Sequence, residues 1–343
     1  MTEITIKTSE TTEKTEKTTG ITLVEAITQA LAYELAHDPD VIVLGEDVGV
    51  NGGVFRATQG LQARFGEERV RDTPLAENMI AGVCVGLGAM GMKPVAEIQF
   101  MGFMYSCVDQ IISHASRLRN RTRGRLSCPM VIRAPYGAGI HSPEHHSEST
   151  EAIFAHIPGL RVVIPSTPLR AYGLLLASIR DPDPVIFLEP TRMYRLGKQI
   201  VPDNGEALPI DVCFISREGN DVTLVSWGAM MHETLKAAEI LAESGIEAEV
   251  IDVATIKPLD METILKSVEK TGRCVIVHEA TKTCGVGAEI AAQIAEKGLT
   301  SLLAPIQRVA AFDVIVPLYR LEDYYLPSVE RIVQSVLAVM EYK

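Results

Sequence analysis

Acid–base chemistry has few places to sit in this 343-residue chain, and the richest is the stretch from Cys128 to Phe154. An apolar run, Met130 to Ala134, ends at Pro135, a Gly-containing loop follows, and a helical pattern starts near Ser149. The loop holds His141, His145 and His146 together with Glu144 and Glu148. Imidazoles titrate near neutral pH, so such a group suits proton transfer. Two other strand-end loops carry carboxylates: Glu46 with Asp47, and Glu77 at the end of Asp72-Thr-Pro-Leu-Ala-Glu77. Histidines at i, i+4 and i+5 lack the carboxylate pattern of an HExxH metal site, and neither a GxSxG turn nor a P-loop is present. The residues alone give a two-domain α/β enzyme or enzyme subunit whose chemistry stays open.

The elements that must position these loops alternate between strand and helix. Thr22-Leu-Val-Glu25 has the spacing of a capping box and starts a helix carrying Leu23, Ile27, Ala30 and Leu31 on one face. Strands are predicted at Val41–Leu44, Val95–Phe100, Met130–Ala134, Arg161–Ile164 and Val185–Leu188, with helices at Asn78–Met90, along Val108–Leu118 and at Pro168–Ile179. This order predicts a mostly parallel sheet covered on both faces, with ligands at the carboxyl ends of its strands. A second alternating unit has strands at Asp221–Ser226, Ala248–Val253, Cys274–Glu279 and Gln307–Ala310, and ends in a helix at Val329–Met340. The reading divides the chain into a disordered tail at 1–20, a first domain at 21–195, a crossing at 196–220 and a smaller second domain at 221–343. Gly86-Leu-Gly-Ala-Met-Gly91 matches the dinucleotide pattern GxGxxG letter for letter. That motif works with a strand before it and a helix after, and here the order is reversed, so close packing of a small-residue helix is the better reading.

A net charge of −12 argues against a nucleic-acid binder or a basic membrane-surface protein. Alternating Arg117, Arg119, Arg121, Arg123 and Arg125 form a local exception, read as a solvated face or a subunit contact. No apolar run is long enough to cross a bilayer. Six scattered cysteines without a CxxC pair fit neither a zinc site nor a disulfide framework, so a reducing, cytoplasmic location is expected.

Several ordered motifs carry a family resemblance. They are Arg69-Val-Arg-Asp-Thr-Pro-Leu-Ala-Glu77, Pro94-Val-Ala-Glu-Ile-Gln-Phe100, Asp109-Gln110, His146-Ser with Glu151-Ala, Pro158-Gly-Leu-Arg-Val-Val-Ile-Pro165 and Asp183-Pro-Val-Ile-Phe-Leu-Glu-Pro190. Asp252 to Asp260, Lys270-Thr-Gly-Arg273 and Gly285-Val-Gly-Ala-Glu289 extend the likeness over residues 21–342. Together they resemble the beta subunit of the thiamine-diphosphate-dependent 2-oxo acid dehydrogenase component, a family that includes pyruvate, branched-chain and acetoin enzymes. The resemblance implies a pyrimidine-binding domain of the transketolase type followed by a transketolase C-terminal domain. It implies an alpha subunit that holds the diphosphate and Mg²⁺ in a two-alpha, two-beta heterotetramer, and contact between the C-terminal domain and a lipoyl acyltransferase core. Oxidative decarboxylation of a 2-oxo acid with reductive acylation of the lipoyl group is the implied activity; an acetoin enzyme and a non-catalytic scaffold are the alternatives.

Residue roles follow from the same resemblance. Glu77 matches the glutamate that bonds N1′ of the aminopyrimidine and favours the tautomer that removes the thiazolium proton. Phe103 matches the aromatic ring stacked on the pyrimidine, and Gln99, expected in the neighbouring strand, is a further cofactor contact. His146 matches the histidine on this subunit's wall of the pocket, with His145 the alternative if the loop register differs by one. A K⁺ ion is implied on main-chain carbonyls at Cys128, Met130, Val131, Ser178, Asp181 and Asp183. The chain departs from the family pattern at Glu148, at Ser142-Pro-Glu144 and at Gly102, which leaves the substrate open between pyruvate and branched-chain 2-oxo acids.

Overall fold

The computed structural model describes residues 20–343, so the tail read at 1–20 lies, but for Gly20, outside the described residues. In chain order the strands are β1 (Val41–Gly45), β2 (Val70–Asp72), β3 (Lys93–Glu97), β4 (Val131–Tyr136), β5 (Arg161–Val163) and β6 (Val185–Pro190). They continue with β7 (Phe214–Arg217), β8 (Val222–Ser226), β9 (Ala248–Asp252), β10 (Thr255–Lys257), β11 (Cys274–Thr281) and β12 (Gln307–Ala311). Two sheets result, ordered β10-β5-β6-β4-β3-β1-β2 and β12-β11-β8-β9-β7. All neighbours are parallel except β5 with β10 and β7 with β9.

Parallel strands buried on both faces need unbroken apolar runs, and β1 shows why. Val41 and Val43 pack under the helices Leu23–His37 and Pro168–Arg180, while Ile42 and Leu44 join a core that continues into the second domain at Trp227 and Ile276. The first helix starts at the expected capping box. The Glu25 N–H donates to Thr22 Oγ1 at 3.4 Å, and the Thr22 N–H donates to Glu25 Oε2 at 2.7 Å.

Several boundaries move, for identifiable reasons. β3 stops at Glu97, so Gln99 follows the strand instead of lying in it, on the approach to a 3₁₀ helix at Met101–Cys107. Glu77 is the first residue of the helix Glu77–Ala89, where a carboxylate meets unpaired N–H groups. The helix expected along Val108–Leu118 is irregular: a π turn at Gln110–His114, a 3₁₀ turn at Ala115–Arg117 and an α turn at Leu118–Arg121. Ser116 Oγ bonds back to the Ile112 carbonyl at 2.8 Å, a side-chain competition that bends helices. The Gly86–Gly91 run closes a helix and turns into β3, with Gly91 at φ +92. Strand β7 falls inside the stretch read as a crossing, and β10, from the chain beyond β9, forms the edge of the first sheet by pairing Thr255 with Val163. Among the described residues no helix is long and apolar enough to cross a membrane.

Candidate active site

The parallel strands of the first sheet deliver their following loops to one rim, where open α/β sheets bind ligands. Glu46 follows β1, Glu77 comes after β2, Met101–Cys107 follows β3, and the histidine loop follows β4. The 3₁₀ helix is the hub that joins them. Ser106 Oγ donates to the Phe103 carbonyl at 2.9 Å and lies 3.5 Å from Glu77 Oε2. The Phe103 ring meets the His146 ring edge to face at 5.2 Å, and Phe100 meets His146 at 4.4 Å. Glu77, Phe103 and His146 therefore share one locality. Gln99 lies just before it in sequence and is half-buried.

The two neighbouring histidines have different surroundings. A 3₁₀ turn at Glu144–His146, closed by the His146 N–H on the Pro143 carbonyl at 2.9 Å, sets the His146 ring against the two phenylalanines. Its Nδ1 is buried without a hydrogen-bond partner in the protein. His145 is largely exposed and lies 3.9 Å from Glu148 Oε1. The histidine loop comes very close to the 3₁₀ helix. A Cβ at Gly102 would sit 2.2 Å from the His145 carbonyl oxygen, so glycine is required there. Glu148 is held by the Tyr105 hydroxyl, which also lies 3.0 Å from Thr150 Oγ1, while Glu144 is exposed.

Other groups lie at or behind this site. Glu46 is buried, with Oε1 unpartnered, and burial together with the nearby Glu77 charge pushes its carboxyl above the usual range. Phe100 reads as an ordinary strand aromatic. Behind the loop, Glu279 accepts from Ser149 Oγ at 2.7 Å and is pushed up to about 7 by burial, while Glu151 is pushed up to about 8 for the same reason and accepts from Trp227 Nε1 at 3.2 Å. Nothing local marks Glu279 as a neighbour of Ser149, because the pairing exists only once the second domain has folded back.

Two of the segments singled out for a cation lie side by side. The Cys128 N–H donates to the Pro182 carbonyl at 3.2 Å, and the Met130 carbonyl accepts from Val185 at 2.9 Å, which sets segment 128–131 beside 181–185. Ser178 sits in the preceding helix with its hydroxyl on the Leu174 carbonyl. The nearby carboxylates are already engaged, Asp181 by Arg161 at 3.0 Å and Asp183 by Arg119 at 2.6 Å. Arg119 thus has a structural partner within the arginine-rich segment.

Comparison with known proteins agrees with this architecture. The family described as Transketolase, pyrimidine binding domain matches residues 19–197, and Transketolase, C-terminal domain matches residues 213–332. The chain is 48% identical over 322 residues to the pyruvate dehydrogenase E1 component subunit beta of Bacillus subtilis (strain 168), covering 94% of this chain and 99% of the relative. Proteins of the same description from Staphylococcus epidermidis and Staphylococcus aureus are 49% and 47% identical over the same shares. A solved structure titled split gene transketolase, inactive beta4 tetramer, superposes with a TM-score of 0.78 at 23% identity, covering 95% of this chain and 100% of that one; it bears on the fold alone. With both domain families matched in order and near-full-length relatives at almost half identity, the chain belongs to the 2-oxo acid dehydrogenase beta-subunit family, built from a transketolase pyrimidine-binding domain and a transketolase C-terminal domain.

Proposed function

We propose that this chain is the beta subunit of a thiamine-diphosphate-dependent 2-oxo acid dehydrogenase, acting with an alpha subunit in a two-alpha, two-beta heterotetramer, and that pyruvate is its first substrate. The observation that carries the reading is a half-built site. Glu77, Phe103 and the unpartnered His146 Nδ1 gather at a rim beside an uncovered apolar face. On that face Leu75 is 81% exposed, Met79 41%, Val83 43% and Met90 85%, all on or beside the helix that Glu77 begins. A water-soluble chain leaves such a stripe bare where another subunit covers it. In this reading the partner carries the diphosphate and Mg²⁺.

Bound thiamine diphosphate supplies a carbon nucleophile and an electron sink for loss of CO₂. The residues of this chain prepare it. With the cofactor bound, the Glu77 carboxyl would hold the pyrimidine ring nitrogen and shift its proton balance, and Phe103, with Gln99 a further contact, would give the ring a surface to lie on. His146 offers an imidazole nitrogen for the substrate carboxylate or for a proton during transfer to a lipoyl group. The relatives' names favour pyruvate over branched-chain acids and acetoin. Docking of an acyltransferase core on the second domain, a K⁺ ion on carbonyls of Cys128, Met130, Val131, Ser178, Asp181 and Asp183, and a cytoplasmic location complete the proposal.

The test is turnover by the chain co-expressed with its alpha partner, against pyruvate, 3-methyl-2-oxobutanoate and acetoin. Pyruvate decarboxylation that requires both thiamine diphosphate and Mg²⁺ is expected, and no turnover of any of the three would overturn the reading. His146→Ala should lower turnover by about 100-fold while His145→Ala changes it by less than about 3-fold, the range over which a positioned acid–base group acts. The reverse order in steady-state assays would assign the role to His145.

A further inference from the structure

The loop that carries His146 is held from behind by a group on the second domain. Glu322, in the short helix Tyr319–Tyr325, is 1% exposed although it is a carboxylate. Its Oε1 accepts the Gly139 N–H at 2.7 Å, its Oε2 accepts the His141 N–H at 3.0 Å, and His141 Nδ1 lies 2.6 Å from Oε2. Two main-chain amides and an imidazole thus compensate a buried charge that would otherwise be costly to desolvate. The backbone is shaped for this. Gly137, Gly139 and His141 all have positive φ, at +89, +98 and +60, and His141 adopts that conformation without being glycine. Amides turned toward one point form an anion-binding concavity, and here two alternate amides, of Gly139 and His141, take an anion supplied by the protein itself. Ala138 packs beside it on Ala311, Tyr325 and Leu326.

We infer that Glu322 is a positioning residue for His146: by gripping the first shoulder of the loop at Gly139 and His141, it sets where the His146 ring stands against Phe100 and Phe103. The second shoulder is gripped by Glu279 through Ser149 at 2.7 Å. Between these two anchors the 3₁₀ turn at Glu144–His146 and the Tyr105 hydroxyl on Glu148 carry the placement on to the imidazole. The chemistry assigned to His146 rests on the proposed function, whereas the grip itself does not.

The experiment uses the full alpha–beta complex with Glu322→Gln, which keeps side-chain volume but turns an N–H donor toward one of the two amides. Carbethoxylation of His146 by diethyl pyrocarbonate, followed by mass spectrometry, reads ring position without any need for turnover. Labelling is expected to accelerate at least 5-fold, with faster hydrogen exchange at Gly139 and His141. In steady-state assays kcat/KM for the 2-oxo acid should fall by about 100-fold, the loss that misplacement by about 1 Å brings. Glu322→Asp should recover part of each effect. Thr223→Val, which removes a hydroxyl bonded at 2.7 Å to Ser267 and Thr271 in the core of the second domain, is the control for simple destabilisation. It should lower the melting temperature without changing His146 labelling. Unchanged labelling in Glu322→Gln, or the same acceleration in Thr223→Val, would overturn the inference. A wild-type complex with no thiamine-dependent turnover would instead overturn the proposed function, with the labelling result still deciding the role of Glu322.

Discussion

Glu77→Gln in the assembled complex is expected to lose 2-oxo acid decarboxylation by at least about 100-fold, the lower end of what a positioned acid–base group contributes. The substitution preserves shape and hydrogen-bonding reach and removes only the exchangeable acid. It should be gentle on the fold, because Glu77 is half-buried at the first position of its helix and its interaction with the helix amino terminus is worth about 0.3–1 kcal/mol. Gel filtration should show an intact assembly, and thermal unfolding a midpoint within a few degrees of wild type. Glu46 gives a second view of the change. Part of the upward push on its carboxyl comes from the Glu77 charge, so removing that charge should bring Glu46 closer to an ordinary carboxylate. Full turnover by the Gln variant would remove Glu77 from the chemistry.

The largest expected effect on stability is at Arg133. This side chain is 1% exposed, on β4, between carboxylates from both flanking strands. Its Nη1 bonds Glu97 at 3.1 Å, and its Nε and Nη2 bond the two oxygens of Glu189 at 2.6 and 3.0 Å. Glu189 also accepts from the Tyr194 hydroxyl at 2.5 Å. Desolvation makes such a cluster costly to bury, but breaking it is worse than never having built it. Arg133→Met would leave two carboxylates without their cation in the middle of the sheet, where burial already pushes Glu97 upward. A loss of about 3–5 kcal/mol is expected, seen as a clear drop in the thermal midpoint. Replacing Glu97 and Glu189 by Gln in the same chain should restore part of it, because the uncompensated charges are then gone. A single Met variant that melts with the wild type would show that the triad contributes nothing net.

What could be read in sequence followed from how each element is buried. Strands covered on both faces show as continuous apolar runs, so β1, β4, β6, β8 and β11 were visible, and Thr22 and Glu25 marked a helix start by local chemistry alone. β2 and β10 each carry a single aliphatic residue, Val70 and Ile256, too little for an apolar run, and β7 is a half-exposed edge strand without one. Residue types and spacing left the histidine loop open to several chemistries; the motifs around Glu77 and His146 narrowed it through family resemblance. The departures at Glu148 and Gly102 became intelligible only in three dimensions, as a partner for the Tyr105 hydroxyl and as clearance for the His145 carbonyl. Glu322 had no signal at all, because its partners lie 183 and 181 residues away in the chain.

The edge strand Thr255–Lys257 has a bearing on inheritance. A sequence that looks like two cassettes joined end to end cannot be exchanged as two cassettes, because a piece encoded with the second completes the hydrogen-bonding edge of the first at Val162 and Val163. Recombination that swapped the halves between distant relatives would have to bring matching partners for that edge along with the new half. The first sheet is completed only at Thr255–Lys257, well past residues 197–213 where the two domain families meet.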